Sequence, residues 1–308
     1  MSVPRAIDQE HTIFDHGGET MPASFAVNLC GYRNGKPNTS DKSSAASVEL
    51  GQIFFEKVGV PEGQVNDKTD HTWSHAMVAD LTEALEPTAA HLVVNREQPA
   101  HIFEQYAHLE AFLKLADDES SRIDSAMKTL QDHLTDAEDV ESETSGLVKA
   151  LVDALGESRA QRRPLLDALG DESLPKLDIS VHRPLDPASP ANGLHLVAGF
   201  SLKWSLRTDR LQDPRTHGAK MASLRRGRMP HFAAVTMEPR PYFLARLGQG
   251  TGDLDCVYHL HLPALTAAVD EYYTKTKSHL KTRDTFRRMV DQRRLRDYDD
   301  LVAYLKTL

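Results

Sequence analysis

The sequence predicts an α/β protein in which a mixed central β-sheet is flanked by α-helices. Two observations support this fold class. Amphipathic helical patterns fill the first half of the chain, and short runs rich in Val, Ile, Phe and Tyr alternate with helical patterns after Pro175. The chain has 308 residues, 40% of them hydrophobic, so it can bury a sizeable core as one large domain or two modest ones.

Helical patterns dominate the region before the strands. Apolar residues at helical spacing, followed by a glycine, predict a helix from Ser43 to Val58. Similar patterns predict helices over residues 71–85 and 100–116. The first 42 residues are rich in Gly, Asn, Pro and Ser, and we expect an irregular arm there.

Short β-strands are predicted after Pro175. A helix between the second and third strands should begin at Asp213 and Pro214 and end near Gly227, and the chain from Pro263 to its end is predicted to be helical. The predicted strands are residues 177–182, 194–204, 231–237 and 255–262.

The formal net charge of -9 is unevenly distributed along the chain. Residues 110–172 contain 16 acids and 7 bases, and we expect an acidic helical insertion at about 110–175 with a surface loop at 136–146. Residues 203–228 contain 8 bases and 2 acids, and residues 275–296 contain 9 bases and 2 acids. Such basic clusters can bind a polyanion, although the second also fits a solvated helix face.

The two cysteines, Cys30 and Cys256, are too few for a disulfide framework or a thiolate metal cluster, and we expect both to be reduced and buried. No apolar run approaches the roughly 18 to 20 residues that a membrane span needs, and the N-terminus lacks a signal-peptide pattern. These features predict a cytoplasmic protein with no membrane partner.

Three residues form a candidate catalytic group. Asp178 lies in one predicted strand and Lys203 in the next, with Ser201 two residues before the lysine. The two-residue period of a strand points Ser201 and Lys203 to one face, and Asp178 joins them if the strands pair. A carboxylate that holds a divalent metal beside a lysine that orients water suits phosphodiester hydrolysis, because the metal neutralises the phosphate and lowers the pKa of water. Such a spacing also occurs by chance.

The residues around this group resemble a known family. The succession "SLKWSLRTDR", "QDPRTHG", "RRGRMPH", "VTMEP" and "GTGDLDCVYH", with "FEQYAHL" and "GQ" earlier, resembles the NgoMIV family of type II restriction endonucleases, which cut at sites with a CCGG core. The resemblance implies a restriction-endonuclease-like core in a single domain over residues 1–308, with Asp178, Ser201 and Lys203 in the active site. It also implies double-stranded DNA as partner and a homo-oligomer, either dimer or tetramer, because a palindromic site calls for two-fold assembly.

The same resemblance assigns residues to base recognition. The family's Arg-x-Asp-Arg motif is present as Arg207, Asp209 and Arg210. Arginine can bond guanine O6 and N7 together, and a carboxylate can accept from cytosine N4. A surface Arg–Asp salt bridge is the alternative for such a motif alone. Gln64 aligns with a family glutamine that touches the core from the minor groove, although solvent exposure is the default for a lone loop glutamine.

Recognition of the outer base pairs is less defined. Phe243 stands where the family has an arginine, and Arg240 and Arg246 are candidate replacements. The acidic outer contact of the N-terminal segment falls within residues 38–41. The sequence therefore predicts a CCGG core, as in GCCGGC, and leaves its flanks open.

The chain departs from the family at two glutamates near the metals. The resemblance places His217 at one of these positions and His75, or its neighbour Ser74, at the other. Imidazole suits Mn²⁺, Co²⁺, Ni²⁺ or Zn²⁺ better than Mg²⁺, so we expect Asp178, His217 and His75 to bind a divalent ion of altered preference. The alternative is that neither histidine is a ligand.

Three functions remain open from the sequence. The first is a metal-dependent type II restriction endonuclease that leaves 5'-phosphate ends. The second is a protein of the same fold that binds DNA specifically without cutting it, because the glutamates were lost together with activity. The third, a small-molecule hydrolase with incidental basic clusters, predicts no salt-dependent DNA affinity and is disfavoured by the Arg207, Asp209 and Arg210 motif.

Overall fold

The computed structural model describes residues 23–66, 69–110, 123, 125–130, 132, 142–169, 175–189, 193–207, 211–249 and 252–308. The strands, in chain order, are β1 (Tyr32–Arg33), β2 (Lys36–Pro37), β3 (Val93–Pro99), β4 (Lys176–Pro184), β5 (Leu194–Lys203), β6 (His231–Thr236), β7 (Val257–His259) and β8 (Leu295–Asp297). The α-helices are α1 (Ser24–Leu29), α2 (Ala45–Val58), α3 (Thr69–Ala89), α4 (Ser142–Leu169), α5 (Gln212–Leu224), α6 (Pro241–Gly248), α7 (Leu262–Thr276), α8 (Leu280–Asp291) and α9 (Tyr298–Leu305).

A six-stranded sheet forms the centre of the molecule, with its strands in the order β3-β4-β5-β6-β7-β8. The first two pairings, β3 with β4 and β4 with β5, are antiparallel. The remaining three pairings, from β5 to β8, are parallel. Parallel neighbours require crossover connections, and α5, α6 and the pair α7–α8 provide them. The predicted mixed sheet flanked by helices is confirmed.

Apolar side chains cover the sheet on both faces. Residues of α2 and α3, including Phe54 and Met77, pack in one large cluster with Ile179 and Phe200 of the sheet. A smaller cluster brings Met221 of α5 together with three sheet residues, Leu177, Leu196 and Phe232, and with four buried residues between positions 100 and 109. Helix α5 is therefore the element that covers the sheet next to the end of β5.

Local signals in the sequence account for the limits of α2. The side chain of Ser44 accepts a hydrogen bond from the backbone N–H of Ser47, which caps the start of the helix. Gly59 ends it in the left-handed conformation at φ 81°. Seven of its fourteen residues are buried, which matches the apolar spacing that predicted a helix at this position.

Several expectations about local structure were wrong. The predicted helix over 100–116 begins instead with a 3-10 turn at Ala100–Ile102, and helical structure starts only at residue 107. The strand β3, directly before it, was not predicted. The N-terminal arm is not irregular over its described part, because α1 and the β1–β2 hairpin lie there and Ala26 and Cys30 are fully buried. Residues 1–22 of the arm lie outside the described residues.

Two further expectations need correction. The surface loop expected at 136–146 is helical from Ser142 onward, and its first part lies outside the described residues. The C-terminal region is not wholly helical, because β8 interrupts it and pairs with β7. Both cysteines are free and buried as predicted, and burial raises the pKa of the Cys256 thiol to about 11. Among the described helices, none is both long and apolar enough to cross a bilayer.

Candidate active site

Strands β4 and β5 bring two of the predicted catalytic residues, Asp178 and Ser201, into contact. Their antiparallel register pairs Ile179 with Phe200, so Asp178 lies beside the next residue of β5. The Oδ2 atom of Asp178 accepts a hydrogen bond from the backbone N–H of Leu202 at 2.7 Å and one from Ser201 Oγ at 3.5 Å. The expectation that these strands pair is therefore confirmed, and the carboxylate is fixed to the two residues that precede Lys203.

Lys203 is the last residue of β5, opposite Thr236 of β6. Its Nζ atom donates to Asp213 Oδ2 at 3.3 Å, in the first turn of α5. The side chain of Asp213 is 58% exposed and that of Lys203 is 24% exposed. Ion pairs that face water in this way are weak, so an incoming phosphate can compete with Asp213 for the ammonium group.

His217 stands one helical turn after Asp213, on the same side of α5. Its ring packs against Phe232 with a centroid distance of 5.2 Å. Burial lowers the pKa of His217, the charge of Asp178 raises it, and Lys203 and Lys220 lower it further. The imidazole is therefore neutral at neutral pH, and its pKa responds to the charges of both Asp178 and Lys203.

The Nε2 atom of His217 is buried and has no hydrogen-bond partner in the described part of the chain. An orphaned buried nitrogen needs an explanation, because such groups are normally paired. A carboxylate oxygen and a neutral imidazole nitrogen are both ligands for divalent ions. Asp178 and His217 thus have the chemistry that a metal site requires.

His75 is placed differently. It is exposed on α3, and its Nε2 atom contacts Nη1 of Arg96 from β3. The same arginine donates from Nε to Ser74 Oγ at 3.0 Å, so Arg96 binds both candidates for this position. Over the described ranges, no three His, Cys, Asp or Glu side chains are grouped to hold a metal. The trio of Asp178, His217 and His75 is not assembled there, and its ligand roles stay predictions.

Residues 207–210, which are predicted to recognise the bases and are called the base-recognition segment, follow β5 after three intervening residues. Arg207 is exposed at its start, whereas Asp209 and Arg210 lie outside the described residues. Hydrogen bonds from Ser43 lower the pKa of Asp41, and the charges of Arg240 and Arg207 lower it further. The structure therefore brings the N-terminal segment near the start of the base-recognition segment.

Arg240 is bound within the protein. Its backbone N–H and its Nε atom donate to Glu238 Oε1 at 2.9 and 2.6 Å, and Nη2 donates to Glu238 Oε2 and to the carbonyl oxygen of Leu206. Its guanidinium lies 4.3 Å from the ring centroid of Phe243, and Nη1 is 3.9 Å from Asp41 Oδ2. Sequence reasoning missed Glu238, a fully buried carboxylate two residues after the end of β6. Its position next to a buried strand was the only indication in the sequence.

Two other predicted DNA contacts also have partners within the chain. The Nε2 atom of Gln64 donates to the carbonyl oxygens of Val27 and Cys30, at 2.9 and 2.6 Å, and so joins its loop to the end of α1. Arg246 donates from Nη1 to the Tyr242 hydroxyl at 2.6 Å. Their roles towards DNA stay predictions.

Comparison with known proteins identifies the family. The model of the NgoMIV restriction enzyme family matches residues 32–306. The chain is similar to the type II restriction enzyme NgoMIV of Neisseria gonorrhoeae, with 39% identity over 106 residues, which is 34% of this chain and 35% of that protein. The aligned part thus spans about a third of the relative's length. Because the family model covers most of the chain, the protein belongs to the NgoMIV restriction enzyme family.

Proposed function

We propose that the protein is a type II restriction endonuclease that hydrolyses double-stranded DNA at a palindromic site with a CCGG core, such as GCCGGC, and leaves 5'-phosphate ends. The observation that best supports the proposal is that Asp178 accepts hydrogen bonds from Ser201 and Leu202, the two residues directly before Lys203. Family membership supports site-specific cleavage of DNA.

In this proposal each residue of the group has a separate task. Lys203 orients the attacking water and stabilises the negative charge that develops on the phosphate. Ser201 donates to Asp178 and keeps that carboxylate beside β5. Asp178 and His217 would hold a divalent ion, which when bound supplies charge neutralisation and a lowered pKa for water.

Members of restriction endonuclease families generally use divalent metal ions. For this chain we propose a preference shifted towards Mn²⁺, Co²⁺, Ni²⁺ or Zn²⁺, because His217 offers nitrogen where carboxylate oxygen would favour Mg²⁺. His75 would join the ligand set only after leaving Arg96.

Base recognition is proposed for Arg207, Asp209 and Arg210 in the major groove. Gln64 is proposed to act from the minor groove, and Arg240 at the outer base pairs. Two copies of the chain would face the two halves of the palindrome, because symmetry in DNA is matched by symmetry in subunits. The assembly is accordingly a dimer or a tetramer.

The test is digestion of a plasmid of known sequence with each of Mg²⁺, Mn²⁺, Co²⁺, Ni²⁺ and Zn²⁺, followed by mapping of the ends. We expect cuts only at sites with a CCGG core and 5'-phosphate termini. Cleavage unrelated to CCGG would contradict the proposed target. Full activity in the double variant His75→Ala and His217→Ala would contradict the proposed ligands.

A second candidate is a DNA-binding protein of this fold that does not cut. It is favoured by the contact of His75 with Arg96, which leaves Asp178 and His217 as the two candidate ligands that share a site. This candidate predicts a gel shift with CCGG duplexes and no product with any metal of the series.

A further inference from the structure

Glu238 is a fully buried carboxylate located two residues after the end of β6. Burying a charge is costly unless it is paired and hydrogen-bonded. Glu238 meets this requirement through Arg240, which donates from Nε to Oε1 at 2.6 Å and from Nη2 to Oε2 at 2.9 Å. The Arg240 side chain is 15% exposed.

The pair binds one particular residue from both sides. Glu238 Oε2 accepts from the backbone N–H of Leu206 at 2.6 Å, and Nη2 of Arg240 donates to the Leu206 carbonyl oxygen. Leu206 itself is fully buried. Its successor is Arg207, the first residue of the base-recognition segment. The two side chains thus fix the backbone at the point where that segment begins.

Neighbouring contacts anchor the same stretch of chain. The backbone N–H of Met237 donates to the carbonyl oxygen of Trp204 at 3.1 Å. The indole Nε1 of Trp204 donates to Asn38 Oδ1 at 3.3 Å, in the N-terminal segment. Residues 204–206, which directly follow Lys203, are therefore held by the two residues after β6 and by Asn38.

We propose that Glu238 and Arg240 form a clamp on Leu206 that fixes the backbone directly before Arg207 and so determines how well the protein discriminates its target from other DNA. The inference rests on the proposed function. Bidentate hydrogen bonds to a base edge depend on the direction of the guanidinium group, so a shift of the backbone before Arg207 would cost specific contacts. Phosphate contacts tolerate such a shift better because they carry no sequence information.

The test compares wild type, Glu238→Gln and Glu238→Asp. Glutamine keeps the volume but replaces one acceptor oxygen by a donor group, so the four hydrogen bonds that Glu238 accepts from Leu206 and Arg240 can no longer all be made. Aspartate keeps the charge and is one methylene shorter, which provides a second variant that can still pair with Arg240. Asp297→Asn is the matched control, because Asp297 accepts from the backbone N–H groups of Leu262 and Asp299 at the far edge of the sheet.

The readout is the ratio of dissociation constants for a scrambled duplex and a CCGG duplex, measured in a chelator so that no cleavage occurs. We expect both Glu238 variants to lower this ratio by about tenfold or more, which corresponds to the loss of one good base contact. The dissociation constant for the scrambled duplex should change little. Hydrogen exchange of the Leu206 amide should become faster in both variants. Asp297→Asn should change neither quantity.

The outcomes separate the clamp from the proposed function. A wild type that prefers CCGG, together with folded variants of unchanged ratio, would overturn the clamp alone. A wild type without preference would overturn the proposed target and the clamp's role in specificity together. Equal loss of affinity for both duplexes would also overturn the clamp, because it would indicate general damage to the DNA-binding surface.

Discussion

Lys203 is the residue whose loss should separate cleavage from binding most clearly. It ends β5 beside the residues that contact Asp178. We expect Lys203→Ala to slow cleavage by about 10²- to 10⁴-fold, the usual contribution of a positioned proton-transfer group, while affinity for a CCGG duplex stays within a few-fold. Single-turnover cleavage and gel shifts measure the two effects.

The matched control for Lys203 is Lys176→Ala. Lys176 is an exposed lysine at the start of β4 that pairs with Glu97 at 3.1 Å. Its removal takes away the same charge without touching the proposed active site, so cleavage should be unchanged. Cleavage by Lys203→Ala at the wild-type rate would show that this lysine has no role in the mechanism.

His217 should determine which metal supports cleavage. Even groups that only orient a metal ligand affect metal affinity by about 10- to 100-fold, so His217→Ala should raise the metal concentration needed for half-maximal rate by at least that much. His217→Glu should shift the preference towards Mg²⁺, because carboxylate is the harder ligand. Titration of cleavage rate with Mn²⁺ and Mg²⁺ measures both. An unchanged ratio between the two metals in His217→Glu would contradict the ligand role.

Residue types and strand alternation made Asp178, Ser201 and Lys203 candidates, and the family resemblance assigned them to the active site. These signals were not enough for Glu238. Its importance depends on a hydrogen bond to Leu206, which is 32 positions away in the chain, and a sequence pattern holds no information about such a pairing. The engagement of His75 by Arg96 was unpredictable for the same reason.

At the scale of elements, the position of α5 depends on a glycine. A methyl group at Gly218 would lie 1.7 Å from the carbonyl oxygen of Asp253 and 3.0 Å from the Phe232 ring. Alanine favours a helix over glycine by about 1 kcal/mol, but overpacking costs about 1–3 kcal/mol or more. We therefore expect Gly218→Ala to lower the free energy of unfolding and to reduce cleavage by displacing His217.

Gly156 in α4 provides the matched control for this prediction. A methyl group there would meet nothing within 4 Å, so Gly156→Ala should be neutral or stabilise by up to about 1 kcal/mol. Urea denaturation of both variants measures the difference. A Gly218→Ala protein as stable and active as Gly156→Ala would show that α5 can move without consequence.

The elements predicted correctly are those with a clear local signal. Helix α2 has a capping serine and a terminal glycine, and β5 is a strand of ten residues that are mostly apolar. Strands β3 and β8 were missed because partner strands decide their structure: in β3 only Val94 is buried and the residues from Asn95 to Gln98 are polar, and β8 has three residues. Strand pairing overrides weak local preferences in such segments.

At the scale of the whole molecule, buried histidines make stability depend on pH. Burial lowers the pKa of His261 to about 4 and that of His259 to about 3. The unfolded chain takes up these protons near pH 6.5, so below that pH the unfolded state binds more protons and stability falls until the folded pKa is reached. Asp297 acts in the opposite direction. Burial raises its pKa to about 7, so the folded state binds this proton at a higher pH than the unfolded state, and stability rises as the pH falls.

A histidine variant isolates one of these contributions. Wild type should lose about 2 kcal/mol of unfolding free energy between pH 6.5 and pH 5 through His261, and His261→Gln should lack that loss while keeping the contribution of Asp297. Urea denaturation at the two pH values measures it. Identical pH dependence in both proteins would show that His261 does not titrate in this way.

The order and direction of the strands depend on contacts throughout the molecule, and the sequence did not predict them. It predicted a mixed sheet between helices, which is confirmed. The antiparallel pair β4–β5 followed by parallel strands to β8 depends on how the crossover helices pack, and those contacts join residues far apart in the chain.

The short path from Lys203 to Arg207, held in place at Leu206, has a practical consequence for protein engineering. Libraries that randomise only Arg207 and Arg210 should yield mostly inactive clones, because a new base preference would demand a new backbone course within a few residues of the proposed catalytic lysine. Retargeting would be more successful if the buried acid, its arginine and the loop were diversified together.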